Sequence, residues 1–147
     1  MSVPSKASTD SGAHFAPVLA LIDAEALLPH EQVEPDRLAV LATEIARAQA
    51  LREPVVVDRR SMVILDGHHR VRVLHSLGCS VIPAYLVDYQ DASIQVLSRR
   101  SEVAVSKEAV VKRGLSRSPF PPRTTRHMMT PALGSHPVSI DRLKGLL

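Results

Sequence analysis

Three clusters of residues in this 147-residue chain carry side chains suited to phosphate chemistry. The first is Asp66-Gly67-His68-His69-Arg70, preceded by the apolar residues 62–65 and followed by Val71, Leu74 and Leu77 at helical spacing up to Gly78. It reads as a short buried strand, a tight turn and an amphipathic helix. The glycine permits the bend and a close approach to the backbone. The free N–H groups and positive dipole end of the first helical turn favour a phosphate there. Arg70 can clamp a phosphate through two parallel hydrogen bonds. Asp66 can hold a magnesium ion or take a proton. The second cluster is Pro29-His30-Glu31, two adjacent titratable groups at a strand exit, for which an ordinary surface loop is an equal alternative. The third is Arg123-Thr124-Thr125-Arg126-His127, stiffened by Pro119, Pro121 and Pro122. On its residues alone, a basic disordered tail is favoured there.

The elements that must position these groups follow from the apolar pattern. Val18–Asp23 is a short β-compatible run. Residues 35–50 form the clearest helix, with Pro35 at its first position, Asp36 in its first turn and an apolar stripe through Leu38, Leu41, Ala42 and Ile45. Residues 54–58 are β-branched and suit a buried strand. Residues 59–61 turn that strand into the one before Asp66, as in a hairpin. Residues 80–89 form a further strand, whose Pro83 marks an edge or a bulge. Residues 94–97 suit a short strand. Ser106 caps a helix to about Lys112, with Gly114 past its end. The Pro-rich residues 115–128 exclude a regular helix or a central strand. The apolar residues of the last segment, among them Val138, Ile140 and Leu143, suit a short docked helix. The order implies a compact α+β domain with a mixed sheet: a loose tail over 1–14, a catalytic domain over 15–128 and a C-terminal extension over 129–147.

Composition narrows the function. Hydrophobic residues make up 45% of the chain, with four aromatics and no Trp, so the core is aliphatic. The single cysteine, Cys79, excludes an internal disulfide and suits a small buried position. The net charge of +3 fits a small anionic ligand better than a long nucleic-acid track. Residues 1–14 lack a signal-peptide core, and no run approaches the ~18 apolar residues that span a membrane, so a soluble, cytoplasmic protein is expected. His68 and His69 are adjacent and point apart on a helix, which disfavours zinc. His75 is expected half-buried on its helix, Asp88 and Asp91 solvated in turns, and Met128-Met129 in packing.

Residues Ile64 to Arg70, the following helix ending at Gly78 and the strand after it resemble the ParB/sulfiredoxin-like superfamily. Together with Pro29-His30-Glu31 and Phe120 to His127, in that order, they resemble its free serine kinase branch over residues 17–128. The resemblance implies a nucleotide, ADP or ATP, with its phosphates on Gly67, His68, His69 and Arg70 beside Mg²⁺. It implies Glu31 as the base that deprotonates the hydroxyl of free serine or a close analogue, and Asp66 as the second essential acid and metal holder. Thr124, Thr125, Arg126 and His127 match a late loop that closes over the substrate, which reverses the disordered-tail reading. The chain is shorter than the kinases of that branch, which carry a further lobe contributing to the substrate cleft. The alternative is a ParB-like nucleotide-dependent DNA-binding module, which would normally continue into a helix-turn-helix domain. A sulfiredoxin-like reductase is rejected, because Cys79 lies at the far end of the helix from the turn.

Overall fold

The computed structural model describes residues 15–146. The expected loose tail over 1–14 lies outside the described residues. Eight strands and four helices follow one another: β1 (Val18–Asp23), α1 (Pro35–Ala48), β2 (Ala50–Leu51), β3 (Val55–Asp58), β4 (Ile64–Asp66), α2 (His68–Ser76), β5 (Val81–Val87), β6 (Ile94–Ser98), α3 (Lys107–Leu115), β7 (Thr125–Met129), β8 (Val138–Ser139) and α4 (Ile140–Leu143). The fold is α+β with a mixed four-stranded sheet of order β1-β5-β3-β4. Strands β1 and β5 are antiparallel, β5 and β3 parallel, and β3 and β4 the expected antiparallel hairpin. Two ribbons, β2-β8 and β6-β7, complete it.

Alternation along the strands buries both faces of the sheet. Val55 and Val57 of β3, Ile64 of β4 and Ile82 and Ala84 of β5 face one core, shared with Ile45 of α1, Val73 and Leu74 of α2, and Ile140 and Leu143 of α4. Val56, Leu65 and Val87 face a second core with Tyr89, Ile94, Phe120 and Val110 of α3. The last segment docks as a short helix, as its apolar residues require, and Leu143 is fully buried.

Local chemistry explains where the pattern was misread. Pro83 lies within a central strand, yet β3 pairs with β5 only from Ala84 onward, so at Pro83 the sheet continues on the β1 side alone. Met62 takes a left-handed φ of 64° in the hairpin turn, which delays β4 to Ile64. Gly114 sits in the last turn of α3 rather than past it, where a Cβ would meet Val63 Cγ2 at 2.5 Å. Thr125–Met129, expected as part of an irregular loop, is a strand, because β6 offers it a complete antiparallel partner from Ile94↔Met129 to Ser98↔Thr125. His75 is exposed and meets Glu25 at 3.2 Å instead of packing. Met129 packs against the second core, whereas Met128 is exposed.

Candidate active site

The first side of the site is the β4–α2 turn. Gly67, at a φ of 107°, precedes α2 directly, and a Cβ there would lie 2.6 Å from Val55 Cγ1. Both the dihedral and the space require glycine at this corner. The first-turn N–H groups of α2 have no intrahelical acceptor and point toward the turn. Asp66 is exposed beside it. Arg70 does not reach freely into solvent: its guanidinium donates to the carbonyls of Glu53 at 2.8 Å and Pro54 at 3.1 Å, and meets Asp66 Oδ2 at 3.4 Å. The arginine expected to clamp phosphate thus ties the entry of β3 to the turn.

The two histidines of the turn take different partners along one segment. The N–H of His30 donates to His68 Nε2 at 3.1 Å, and the N–H of Glu34 donates to His69 Nε2 at 2.9 Å. Both rings therefore bind the segment that leads into α1. Burial, then the neighbouring His30, His127, His69 and Arg70, hold the His68 pKa well below the ordinary value. Burial and Arg37 lower that of His69. With Nε2 accepting in each ring, the neutral form carries its proton on Nδ1.

The second side is Pro29-His30-Glu31, and the third is the start of β7. Glu31 Oε1 accepts from the backbone N–H of Thr124 at 3.1 Å, the backbone N–H of Thr125 at 2.8 Å and the Thr125 hydroxyl at 2.9 Å. Its Oε2 makes no hydrogen bond among the described residues. His30 is fully buried, with Nδ1 at 2.6 Å from the Ile64 carbonyl and Nε2 at 2.8 Å from Thr125 Oγ1. Its ring packs edge-on against His68 and His127, centroids 4.5 and 5.5 Å away. Burial lowers its pKa, partly opposed by the Ile64 carbonyl and Glu31.

The third segment is built rather than loose. Thr124 is fully buried and donates its hydroxyl to the Pro121 carbonyl at 2.7 Å. Arg100 holds the Pro122 carbonyl through Nε and Nη2, and the Arg99 N–H donates to the Thr124 carbonyl at 2.8 Å. Burial, followed by His30 and Lys107, drives the His127 pKa down to about 3. Burial, followed by Asp58 and Glu108, pushes the Tyr89 phenol up. The Tyr89 hydroxyl and His127 Nε2, both in neutral groups, share a hydrogen bond at 2.7 Å, which leaves Nδ1 as the ring's second polar atom. That buried Nδ1 has no partner among the described residues.

All three sides line one cleft of about 1380 Å³. Glu31, Asp66, Gly67, His68, His69, Arg70, Thr125, Arg126 and His127 border it, whereas buried Thr124 does not. Arg37, Arg99 and Arg123 also line it, the first two without a role in the sequence reading. Arg99 was visible only as half of a basic pair, and Arg37 only as a polar position on an amphipathic helix. Arg123, read as part of the third cluster, turns to Glu34 at 3.0 Å. The cleft thus offers an orientated carboxylate, a second acid, a helix start and several guanidinium groups, a set suited to a multiply charged anion. No group of three or more His, Cys, Asp or Glu side chains placed to hold a metal ion occurs among the described residues. No described helix is long and apolar enough to cross a membrane.

Known proteins share this fold and part of this sequence. No protein-family profile matches the chain. Over 87 residues it is 34% identical to an ATP-dependent L-serine kinase of Staphylothermus marinus, and over 80 residues 40% identical to a ParB-like protein of Sulfolobus acidocaldarius. These matches take in 56% and 53% of this chain but 34% and 39% of the relatives, so the chain spans under two fifths of their length. Among solved structures, a free serine kinase in complex with AMP superposes with a TM-score of 0.78, over 85% of this chain and 93% of that one, at 14% identity. SbnI with a C-terminal truncation, from Staphylococcus aureus, superposes at 0.69 over 86% and 89%, also at 14% identity. The resemblance read from the three clusters holds: this chain has the fold of the free serine kinases, and its sequence is similar to curated proteins named ATP-dependent L-serine kinase and ParB-like protein.

Proposed function

We propose that the chain is a small-molecule kinase that transfers a phosphoryl group from ATP or ADP to the hydroxyl of free serine or a close analogue. The observation that carries this reading is the seating of Glu31. Three donors from the start of β7 fix one oxygen of its carboxylate, and its other oxygen is left for the cleft that the Gly67 turn also lines. Phosphoryl transfer needs positioning and charge neutralisation more than covalent help.

In this reading the nucleotide phosphates lie on the N-terminal turn of α2, where backbone N–H groups and the helix dipole receive them. Arg37, Arg99 and Arg126 supply further positive charge. Arg70 shapes the turn from behind. Glu31 orients the acceptor hydroxyl and takes its proton as the oxygen attacks in line. His127, which borders the cleft, supplies a further polar contact to the substrate. Asp66 is the residue that would hold Mg²⁺, which characteristically binds through one or two carboxylates and completes its shell with phosphate oxygens and water. When bound, that ion neutralises charge on the transferred phosphoryl group.

Support also comes from the names of the relatives, ATP-dependent L-serine kinase among them. The test is to incubate the protein with Mg²⁺, serine and ATP or ADP, and to assay phosphoserine. Glu31→Gln and Asp66→Asn should each abolish the product while leaving the circular dichroism spectrum intact. A wild-type protein that makes no phosphoserine with either donor, and binds DNA with a steep salt dependence, would transfer the reading to a ParB-like DNA-binding module.

A further inference from the structure

We propose that buried His30 is a positioning residue for the transfer, acting through the Thr125 hydroxyl, which turns from Glu31 to His30 as Glu31 becomes protonated. The proposal rests on the kinase reading of Glu31 and extends it to two residues that do not touch the reacting atoms.

Hydrogen counting leads to it. The Ile64 carbonyl can only accept, so His30 Nδ1, 2.6 Å away, carries a proton. Burial holds the ring neutral, which leaves Nε2 as an acceptor. Glu31 Oε1 is likewise an acceptor. Thr125 Oγ1 stands between them, 2.8 Å from His30 Nε2 and 2.9 Å from Glu31 Oε1, with one proton for two acceptors. While Glu31 is a carboxylate, the charged oxygen claims that proton, since hydrogen bonds to ionised acceptors are the stronger ones. His30 Nε2 then faces a lone pair.

Transfer reverses the preference. The acceptor O–H bond breaks and its proton goes to Glu31 Oε2. The oxygen forms its bond to phosphorus, and the bond to the nucleotide leaving group breaks with its electron pair. Oε1 of the resulting neutral acid is a weaker acceptor and still holds two backbone N–H groups. The Thr125 hydroxyl is then free to rotate and donate to His30 Nε2. The single Thr125 hydrogen bond thus moves from Glu31 to His30 Nε2, a gain relative to a site without that second acceptor. Because this gain exists only with Glu31 protonated, it favours the transition state over the ground state and belongs in kcat. Among the described residues no titratable side chain hydrogen-bonds the His30 ring: His68 and His127 meet it edge-on, and His68 Nε2 accepts from the His30 backbone N–H instead.

Three variants test it in the phosphoserine assay. Asn keeps a donor in the place of Nδ1 but nothing in the place of Nε2, so His30→Asn should lower kcat about tenfold, the equivalent of one hydrogen bond, with KM for serine unchanged. Thr125→Val should abolish this dependence on residue 30, and Thr125→Ser should restore it. In the Thr125→Val background, His30→Asn should have no further effect. A second measurement does not depend on His30 variants folding. Ring ¹⁵N shifts of His30 should show Nε2 becoming hydrogen-bonded in Glu31→Gln, whose neutral amide stands in for the protonated acid. An active wild type with normal kcat in His30→Asn, additive effects in the double variant, or an Nε2 shift indifferent to Glu31→Gln would each overturn the proposal. A wild type without kinase activity would instead remove the reading beneath it.

Discussion

The backbone N–H of Thr125 donates to Glu31 Oε1 at 2.8 Å across 94 residues of sequence. This bond joins two of the three clusters, and the His30 N–H to His68 Nε2 bond joins the third. The site is therefore assembled by hydrogen bonds among its own parts, and its stability and its chemistry are linked.

That link makes Glu31 a structural residue as well as the proposed base. Glu31→Ala leaves two N–H groups unpaired in a partly buried place, while the Thr125 hydroxyl keeps His30 Nε2 as a partner, and should cost about 1–3 kcal/mol of stability. Glu31→Gln, which retains an oxygen at that point, should cost less while losing activity just as fully. Urea denaturation beside the phosphoserine assay separates the two effects. Equal stability loss in both variants would show that the three donors do not depend on that oxygen.

Gly67 should tolerate no side chain. Gly67→Ala meets a left-handed φ and a contact of 2.6 Å with Val55, backbone strain and overpacking together. The expected loss is about 2–5 kcal/mol. A denaturation midpoint within error of wild type would refute the tight corner.

Arg70 holds the Glu53 and Pro54 carbonyls, so Arg70→Lys, a single flexible ammonium, should lose about 1–2 kcal/mol of stability. Nucleotide affinity measured by calorimetry should fall only through distortion of the turn. A large affinity loss with unchanged stability would instead make Arg70 a direct phosphate ligand.

Acid should unfold the site before it unfolds a typical domain. In the unfolded chain histidine titrates near 6.5. In the fold, His127 is lowered to about 3, and His30, His68 and His69 are lowered as well. Between these values the unfolded state binds more protons, so stability declines as pH falls from about 6.5 toward 3 and is unaffected by these groups above that range. Denaturation midpoints at pH 7.5 and pH 5 should differ, and His127→Asn should narrow the gap. Identical midpoints would mean that the histidines take up protons as readily in the fold.

The apolar periodicities determined the main sheet, α1, α2 and the hairpin before Asp66, because each is written in a local pattern of period 2 or 3.6. The Asp66-Gly67 corner was equally legible, since glycine before two polar residues at a helix start has a local cause. What the tertiary structure alone decided is the partnership of distant groups. Thr125–Met129 is a strand only because β6 lies beside it. Arg70, written as a phosphate clamp, is occupied by carbonyls of the preceding loop. His30, one of a pair of titratable neighbours in sequence, becomes a buried acceptor because Ile64 takes its Nδ1 proton and Thr125 stands at its other nitrogen. A side chain's type is local, but the number of protons and lone pairs left to it depends on neighbours that only folding brings within 3 Å.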